Sequence, residues 1–286
     1  ALASMADTNR FNKIVVVDSI PEVESNTARR LFEDMETYAV AFEPSPTIVY
    51  ARIKSAGDFI KLLADLTVAA RESDSIPMLH IECHGDEDGF QFADGSILDW
   101  PELKTPFAEL NEATQLNLMI AVGACVGGAA AKTITFTDRA PFWGLLGPTQ
   151  SVLPDQIEKP FRALYTTLLQ TKSPQEAISA FEAEAGPGVY WRTTAQGLFE
   201  KGWLRYKAEY CSPEILIFRA ARMLRAWQQA GNDPGATEET MKELLLVHEP
   251  TAFARYRRQF FMEDLFPDNE SRFNVSYEAF SGEHES

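Results

Sequence analysis

The sequence predicts an α/β protein: a mostly parallel sheet covered by helices on both faces, followed by a helical C-terminal region. Three observations carry this. Short, nearly continuous apolar runs rich in β-branched residues recur between Lys13 and Val122, as strands buried on both faces do. Amphipathic stretches with helical spacing separate them. From Pro213 onward the apolar residues keep helical spacing alone.

Lys13 to Asp18 (KIVVVD) is the first strand, followed by a turn at Ser19-Ile20-Pro21 and a helix within 25–40 that spaces Ala28, Leu31, Phe32 and Met35 on one side. Thr47 to Ile53 is the second strand, and Phe59, Leu62, Leu63, Leu66 and Val68 mark the next helix. Met78 to Cys83 and Leu116 to Val122 are the third and fourth strands of the series. Between them, Gly89–Gly95 alternates apolar and polar residues between glycines, the pattern of a small hairpin or flap. Asp99 is placed to cap a helix that opens with Trp100-Pro101. Phe142 to Leu146 is a further strand, helices follow at 155–170 and 174–184, and Val189 to Trp203 is read as a strand or extended loop.

Past Pro213, Ile217, Ala221 and Leu224 form one helical stripe, and Phe253, Tyr256 and Phe260 another. Asn232-Asp233-Pro234-Gly235 breaks the chain between them. The expected organisation is an α/β domain over 11–212, a helical region over 213–266 packed on it, and a polar, frayed tail over 267–286.

Composition narrows the function. Among 286 residues, 42 acidic side chains stand against 26 lysines and arginines, a formal net charge of −16. Such a chain repels phosphate backbones, so nucleic acid is not an expected partner. Its basic clusters, Arg222/Arg225 and Arg255/Arg257/Arg258, sit in helix-like stretches as solvated faces. Three cysteines make no disulfide framework and suit a reducing compartment, so the expected location is cytoplasmic. No apolar run is long enough to span a membrane. Ala1–Ser4, ahead of Met5, is read as lying outside the fold.

The chemistry converges on two strand ends. There are four histidines: His248 and His284 have no cysteine or histidine neighbour in sequence, and His80, inside the third strand, reads as a core residue. His84 stands at the carboxyl end of that strand, before Gly85 and the acidic run Asp86-Glu87-Asp88. Cys125 holds the matching place after the fourth strand, followed by Gly127-Gly128 and the helix-like Ala129-Ala130-Ala131. Reacting groups in open α/β sheets gather beyond the carboxyl ends of the strands. A thiol there would gain from the positive end of a following helix. The histidine would move the proton, and the N–H groups of Gly85 and Cys125 would hold an oxyanion. The glycines would let a substrate backbone approach closely. Taken alone, a strand-end cysteine is as often structural as catalytic.

Other sites fit poorly. Cys83 and His84 project to opposite sides of an extended chain and no C-x2-C pair exists, so no zinc is expected. The sequence has no G-x-G-x-x-G after the first strand, no Lys-Ser/Thr after the glycines near 123–128, and no G-x-S-x-G. No cofactor is expected.

Pro77–Gly85 (PMLHIECHG) and Leu116–Gly128 (LNLMIAVGACVGG) together resemble the two blocks of the caspase-like cysteine peptidases, the clan of caspases, metacaspases, legumains, gingipains, separases and bacterial CHAT-type peptidases. The resemblance, which covers about residues 13–205, implies a caspase-like three-layer sandwich. It implies a cysteine endopeptidase acting on a protein or peptide, with His84 as catalytic histidine, Cys125 as nucleophile, and Gly85 as an oxyanion donor. For standalone bacterial members it also implies a role in stress or anti-phage defence, with a signalling or regulatory protein as a further partner. Gly123 stands where metacaspase-like members carry an acidic residue that helps hold a basic P1 side chain. Neither aspartate nor lysine/arginine specificity therefore follows. Asp86, Glu87, Asp88, Asp138 and Asp155 are the candidates for lining a pocket for a positive side chain. The alternative expectation is a catalytically weak scaffold of the same fold, binding partners through its helical end or the Gly89–Gly95 flap.

Overall fold

The computed structural model describes residues 9–134, 136–231, 235 and 237–284. Six strands form the main sheet: β1 (Lys13–Asp18), β2 (Thr47–Arg52), β3 (Pro77–Glu82), β7 (Met119–Val122), β8 (Gly144–Pro148) and β9 (Tyr190–Thr194), in the order β2-β1-β3-β7-β8-β9. All neighbours are parallel except β8 and β9. The central strands are buried on both faces, which is why β1 and β3 lack the alternation of a half-exposed strand. Between β3 and β7 lies a second sheet of three antiparallel strands, β4 (His84–Gly85), β5 (Gly89–Gln91) and β6 (Ile97–Asp99). The expected flap is thus packed: Phe90 and Phe92 are buried against Phe59, with Gln91 facing out.

Helices α1 (Thr27–Ala39), α4 (Pro154–Thr171) and α5 (Pro174–Ala185) pack together, as do α2 (Ala56–Ser73) and α3 (Trp100–Ala113). Their starts are chemically specified. Asp99 and Glu102 close a capping box at α3 with Pro101 in the first turn, and Ser55 and Asp58 do the same at α2. The strand expected from Leu116 begins only at Met119. Gln115 and Leu116 take left-handed conformations (φ 55° and 61°) that end α3. The buried Asn111 side chain then fixes the way into β7, donating to Ala140 O (2.7 Å) and accepting from Leu118 N (3.0 Å). The strand expected at Phe142–Leu146 is displaced to Gly144–Pro148.

The chain divides into two compact units, one holding residues up to 134 and 140–195, the other 135–139 and 196–286. The second unit is helical: α6 (Ala195–Tyr210, most of which lies in it), α7 (Pro213–Gln229), α8 (Glu238–Val247), α9 (Glu249–Phe260) and α10 (Asn269–Arg272). The division falls near 195 rather than 212, because residues 195–210 are a helix whose Phe199 and Trp203 are fully buried against Phe253, with Phe260 and Phe261 also on Phe199. The buried line of α7 is Leu216, Ala220 and Leu224, meeting Met241 of α8, while Ile217 of the expected stripe is 45% exposed. The expected frayed tail is instead anchored. Phe273, Val275 and Phe280 are buried, and the buried Lys207 ammonium donates to Phe280 O (2.6 Å). Of the break at 232–235, Asn232-Asp233-Pro234 lies outside the described residues, as does Ala1–Ser4. Among the described residues no helix is long and apolar enough to cross a membrane.

Two predictions follow from these buried contacts. Asn111→Ala leaves a buried carbonyl and a buried N–H unpaired, a cost of about 2–4 kcal/mol, measured by urea unfolding. A chain ending at residue 212 strips Phe253, Phe260 and Phe261 from Phe199 and Trp203. It is expected to be insoluble or to expose dye-binding apolar surface, and a soluble truncated protein with native near-UV circular dichroism would contradict this.

Candidate active site

Strands β3 and β7 are adjacent and parallel, with Ile81 opposite Val122. The ladder continues one bond further, from Gly123 N to Ile81 O (2.7 Å). Beyond it, Cys83-His84-Gly85 and Ala124-Cys125 leave the sheet at its carboxyl edge. The two segments touch at Gly85, where an added Cβ would lie 2.8 Å from Cys125 O and 3.2 Å from Ala124 Cβ. Only glycine permits that approach. The main chains of the two residues expected to supply the oxyanion donors therefore meet.

The turn after Cys125 is made by Val126, whose φ of 55° is an outlier for a β-branched residue. Holding it costs about 1–2 kcal/mol. Val126 N bonds to Gln150 O (3.1 Å) and Gly127 N to Ala124 O (3.1 Å). A Cβ at Gly127 would overlap Val122 at 2.3 Å, and one at Gly147 would meet Gly128 N at 2.9 Å. Gly127-Gly128 thus serves close packing of this turn on β8, and the space beside it is filled by protein rather than left for a substrate. The helix expected after Cys125 is a seven-residue 3-10 segment, Gly127–Thr133, without a side-chain cap. Its two glycines and its short length leave little macrodipole to act on the thiol, so that source of thiolate stabilisation is withdrawn.

Each of the two candidate side chains is hydrogen-bonded to a different loop. His84 Nε2 lies 3.0 Å from Glu24 Oε1, in the β1–α1 loop. Val152 N donates to Cys125 Sγ (3.4 Å), whose own S–H points to Val152 O (3.8 Å), in the β8–α4 loop. Among the described residues no hydrogen bond joins His84 to Cys125. The other two thiols are buried, and burial pushes both toward the protonated form, with the Glu82 charge adding to the effect at Cys83. Cys125 is the thiol with access to solvent.

The acidic residues expected to line a pocket have other occupations. Asp86 caps its own turn, accepting from Asp88 N (2.8 Å) and Gly89 N (3.1 Å). Glu87 and Asp88 are exposed. Asp155 faces solvent in the first turn of α4, paired with Lys159 at 3.5 Å. Asp138 belongs to the second unit. The carboxylates that the fold does bury at the strand ends are Asp18 and Glu82. Glu82 accepts from the Thr27 hydroxyl and lies 3.0 Å from His80 Nε2, while His80 Nδ1 is 3.3 Å from Tyr165 Oη. His80 is accordingly a core residue, ring-on-edge with Phe161. Asp18, Glu82 and Glu24 were not singled out from sequence. The signal available for the first two was an acidic residue closing an otherwise apolar strand; for Glu24 there was none.

No protein-family model and no curated protein matches the chain.

Gly85→Ala forces Cys125 O or the β4 backbone to move. The expected cost is about 1–3 kcal/mol, read as a lower Tm. An unchanged Tm would show that the two strand ends are less tightly coupled than this contact requires.

Proposed function

We propose that the protein is a cysteine endopeptidase of the caspase-like kind, cutting a protein or peptide substrate. The observation that carries the reading is the seating of His84-Gly85 against Ala124-Cys125 at the carboxyl ends of adjacent parallel strands. A mostly parallel sheet flanked in sequence by helices supports it, as does the one solvent-accessible thiol among three being the one at this rim.

In this mechanism His84 takes the thiol proton as Cys125 Sγ attacks the substrate carbonyl. The oxyanion develops beside the N–H groups of Gly85 and Cys125, such donors being worth about 10²–10³ in rate each. His84 then returns the proton to the departing amine, leaving an acyl-enzyme. Water, deprotonated by His84, attacks the thioester and releases the acid and the thiol. The chemistry calls for no metal or cofactor. A stress or anti-phage setting, with a protein that triggers cleavage, belongs to the same reading.

A second reading, a binding scaffold, draws on the helical unit, where Phe218 and Val247 are 69% and 72% exposed. This reading requires these side chains to form one contiguous apolar patch, the feature that marks a docking surface.

The test is turnover of a mixed peptide library by the full chain, with melting temperature recorded for every variant. Cys125→Ala is expected to abolish cleavage while folded, and His84→Ala to lower it about 10²–10⁴-fold. Cys83→Ala and Cys211→Ala are expected to keep the wild-type rate. Wild-type turnover by folded Cys125→Ala would overturn the peptidase reading. Absence of cleavage by the wild type, with no labelling of Cys125 by a thiol-directed peptide probe, would favour the scaffold.

A further inference from the structure

We propose that Glu24 is a positioning residue for His84, which fixes the proton of the imidazole on Nε2 and leaves Nδ1 as the nitrogen that exchanges a proton with Cys125. The inference rests on the peptidase reading for its consequence, but not for its geometry.

An ionised carboxylate can only accept a hydrogen bond. The 3.0 Å contact between Glu24 Oε1 and His84 Nε2 therefore places the ring proton on Nε2. In the neutral imidazole the two ring nitrogens then have separate duties: Nε2 is committed to the carboxylate, and Nδ1 is left as the base. A base oriented by a third group is the general design of an activated nucleophile.

Glu24 is 60 residues from His84 in sequence, so something must hold its loop. Asp18, fully buried at the end of β1, does this. It accepts from Ile20 N (2.9 Å), from Asn26 Nδ2 (2.8 Å) and from the hydroxyl of Tyr50, and pairs with Arg52. Arg52 also donates to Ile20 O (2.6 Å). Ser19 ties the same loop to the rim strand and the small sheet, through Ser19 N to Glu82 O (2.8 Å) and Ala93 N to Ser19 Oγ (3.0 Å). Within the loop, Glu24 N closes a turn onto Pro21 O (3.0 Å). Both ends of the loop are thereby fixed, and Glu24 is presented from its middle.

A structural role for the pair is small. Both side chains are 44% exposed, and exposed ion pairs contribute little to stability. A Glu24 variant should therefore fold normally, which makes its kinetics interpretable.

The experiment compares wild type, Glu24→Ala, Glu24→Gln and, as a control for lost charge, Glu22→Ala. For Glu24→Ala the expected result is a fall in kcat of about tenfold or more, part of the 10²–10⁴ available to proton transfer, with KM within about twofold. Glu24→Gln, whose amide oxygen still accepts from Nε2, should recover much of the loss, and Glu22→Ala should match wild type. In parallel, nitrogen-15 NMR of histidine-labelled protein reads the tautomer, with the His84 signal assigned by its disappearance in His84→Gln. Wild type should show a single Nε2–H form, and Glu24→Ala a mixture. A wild-type Nδ1–H tautomer, or Glu24→Ala with unchanged kcat and unchanged ring-nitrogen shifts, overturns the proposal. If the wild type cleaves nothing yet its His84 is held as Nε2–H and released in Glu24→Ala, the positioning stands and the peptidase reading falls.

Discussion

The contact on which the site depends is the approach of Gly85 to the carbonyl of Cys125. Parallel neighbours in a sheet are held about 4.8 Å apart by their ladder, but the ladder ends at Gly123 N. Past that point nothing in the sheet itself keeps two departing segments together. The missing side chain at residue 85 lets the backbones close onto each other where hydrogen bonds have stopped. On one side, Gly85 is held as β4 by its pairing with Phe90 of the small sheet. On the other, Cys125 is held by the left-handed Val126 and the glycine-to-glycine packing on β8. The rim is thus built from backbone contacts, which tolerate little drift.

The buried acids at the strand ends serve the same construction by a different force. A buried carboxylate is costly unless its oxygens are satisfied. Glu82 is met by Thr27 at the start of α1 and by His80, and Asp18 by the loop between β1 and α1 together with Tyr50 and Arg52 of β2. Each acid therefore draws a neighbouring element onto the carboxyl edge of the sheet. Gly123 belongs to this arrangement, since a Cβ there would lie 2.8 Å from Glu82 Cγ. A side chain at residue 123 and the buried Glu82 compete for one space, and this chain fills it from β3.

How much of this could be read from the chain follows from the range of each interaction. The strand at Lys13–Asp18 and the capped starts of α2 and α3 are written in adjacent residues, and Asp99 with Glu102 names its own helix. His84 and Cys125 were legible as strand ends because their strands are apolar runs. Long-range polar partners were not. Nothing near Glu24 marks it as facing a residue 60 positions on, and nothing near Asn111 marks it as the anchor of Ala140. The unit boundary was misplaced for a related reason. Ala195–Tyr210 carries aromatic and glycine residues that weaken its helical pattern, and it becomes a helix because Phe199 and Trp203 find other aromatic rings from α9 to bury against. The α7 stripe was right at Leu224 but took Ile217 and Ala221 where Leu216 and Ala220 are buried, because the partner, Met241, selects which side of the helix is covered.

The contrast between the rim and the side chains it carries bears on how such a site would work. The rim is fixed by steric contact and buried charge, whereas among the described residues the side chains of His84 and Cys125 are hydrogen-bonded through an exposed carboxylate and a main-chain amide and carbonyl of Val152. Cys125 Sγ sits between the main-chain N–H and carbonyl of Val152, accepting from the first at 3.4 Å and lying 3.8 Å from the second. A substrate would then need to break only the weak contacts of Cys125 with Val152 to bring thiol and base together, with His84 kept on Glu24, at a cost of about 1 kcal/mol, and the expensive part of the arrangement, the placement of two strand ends, is completed by folding.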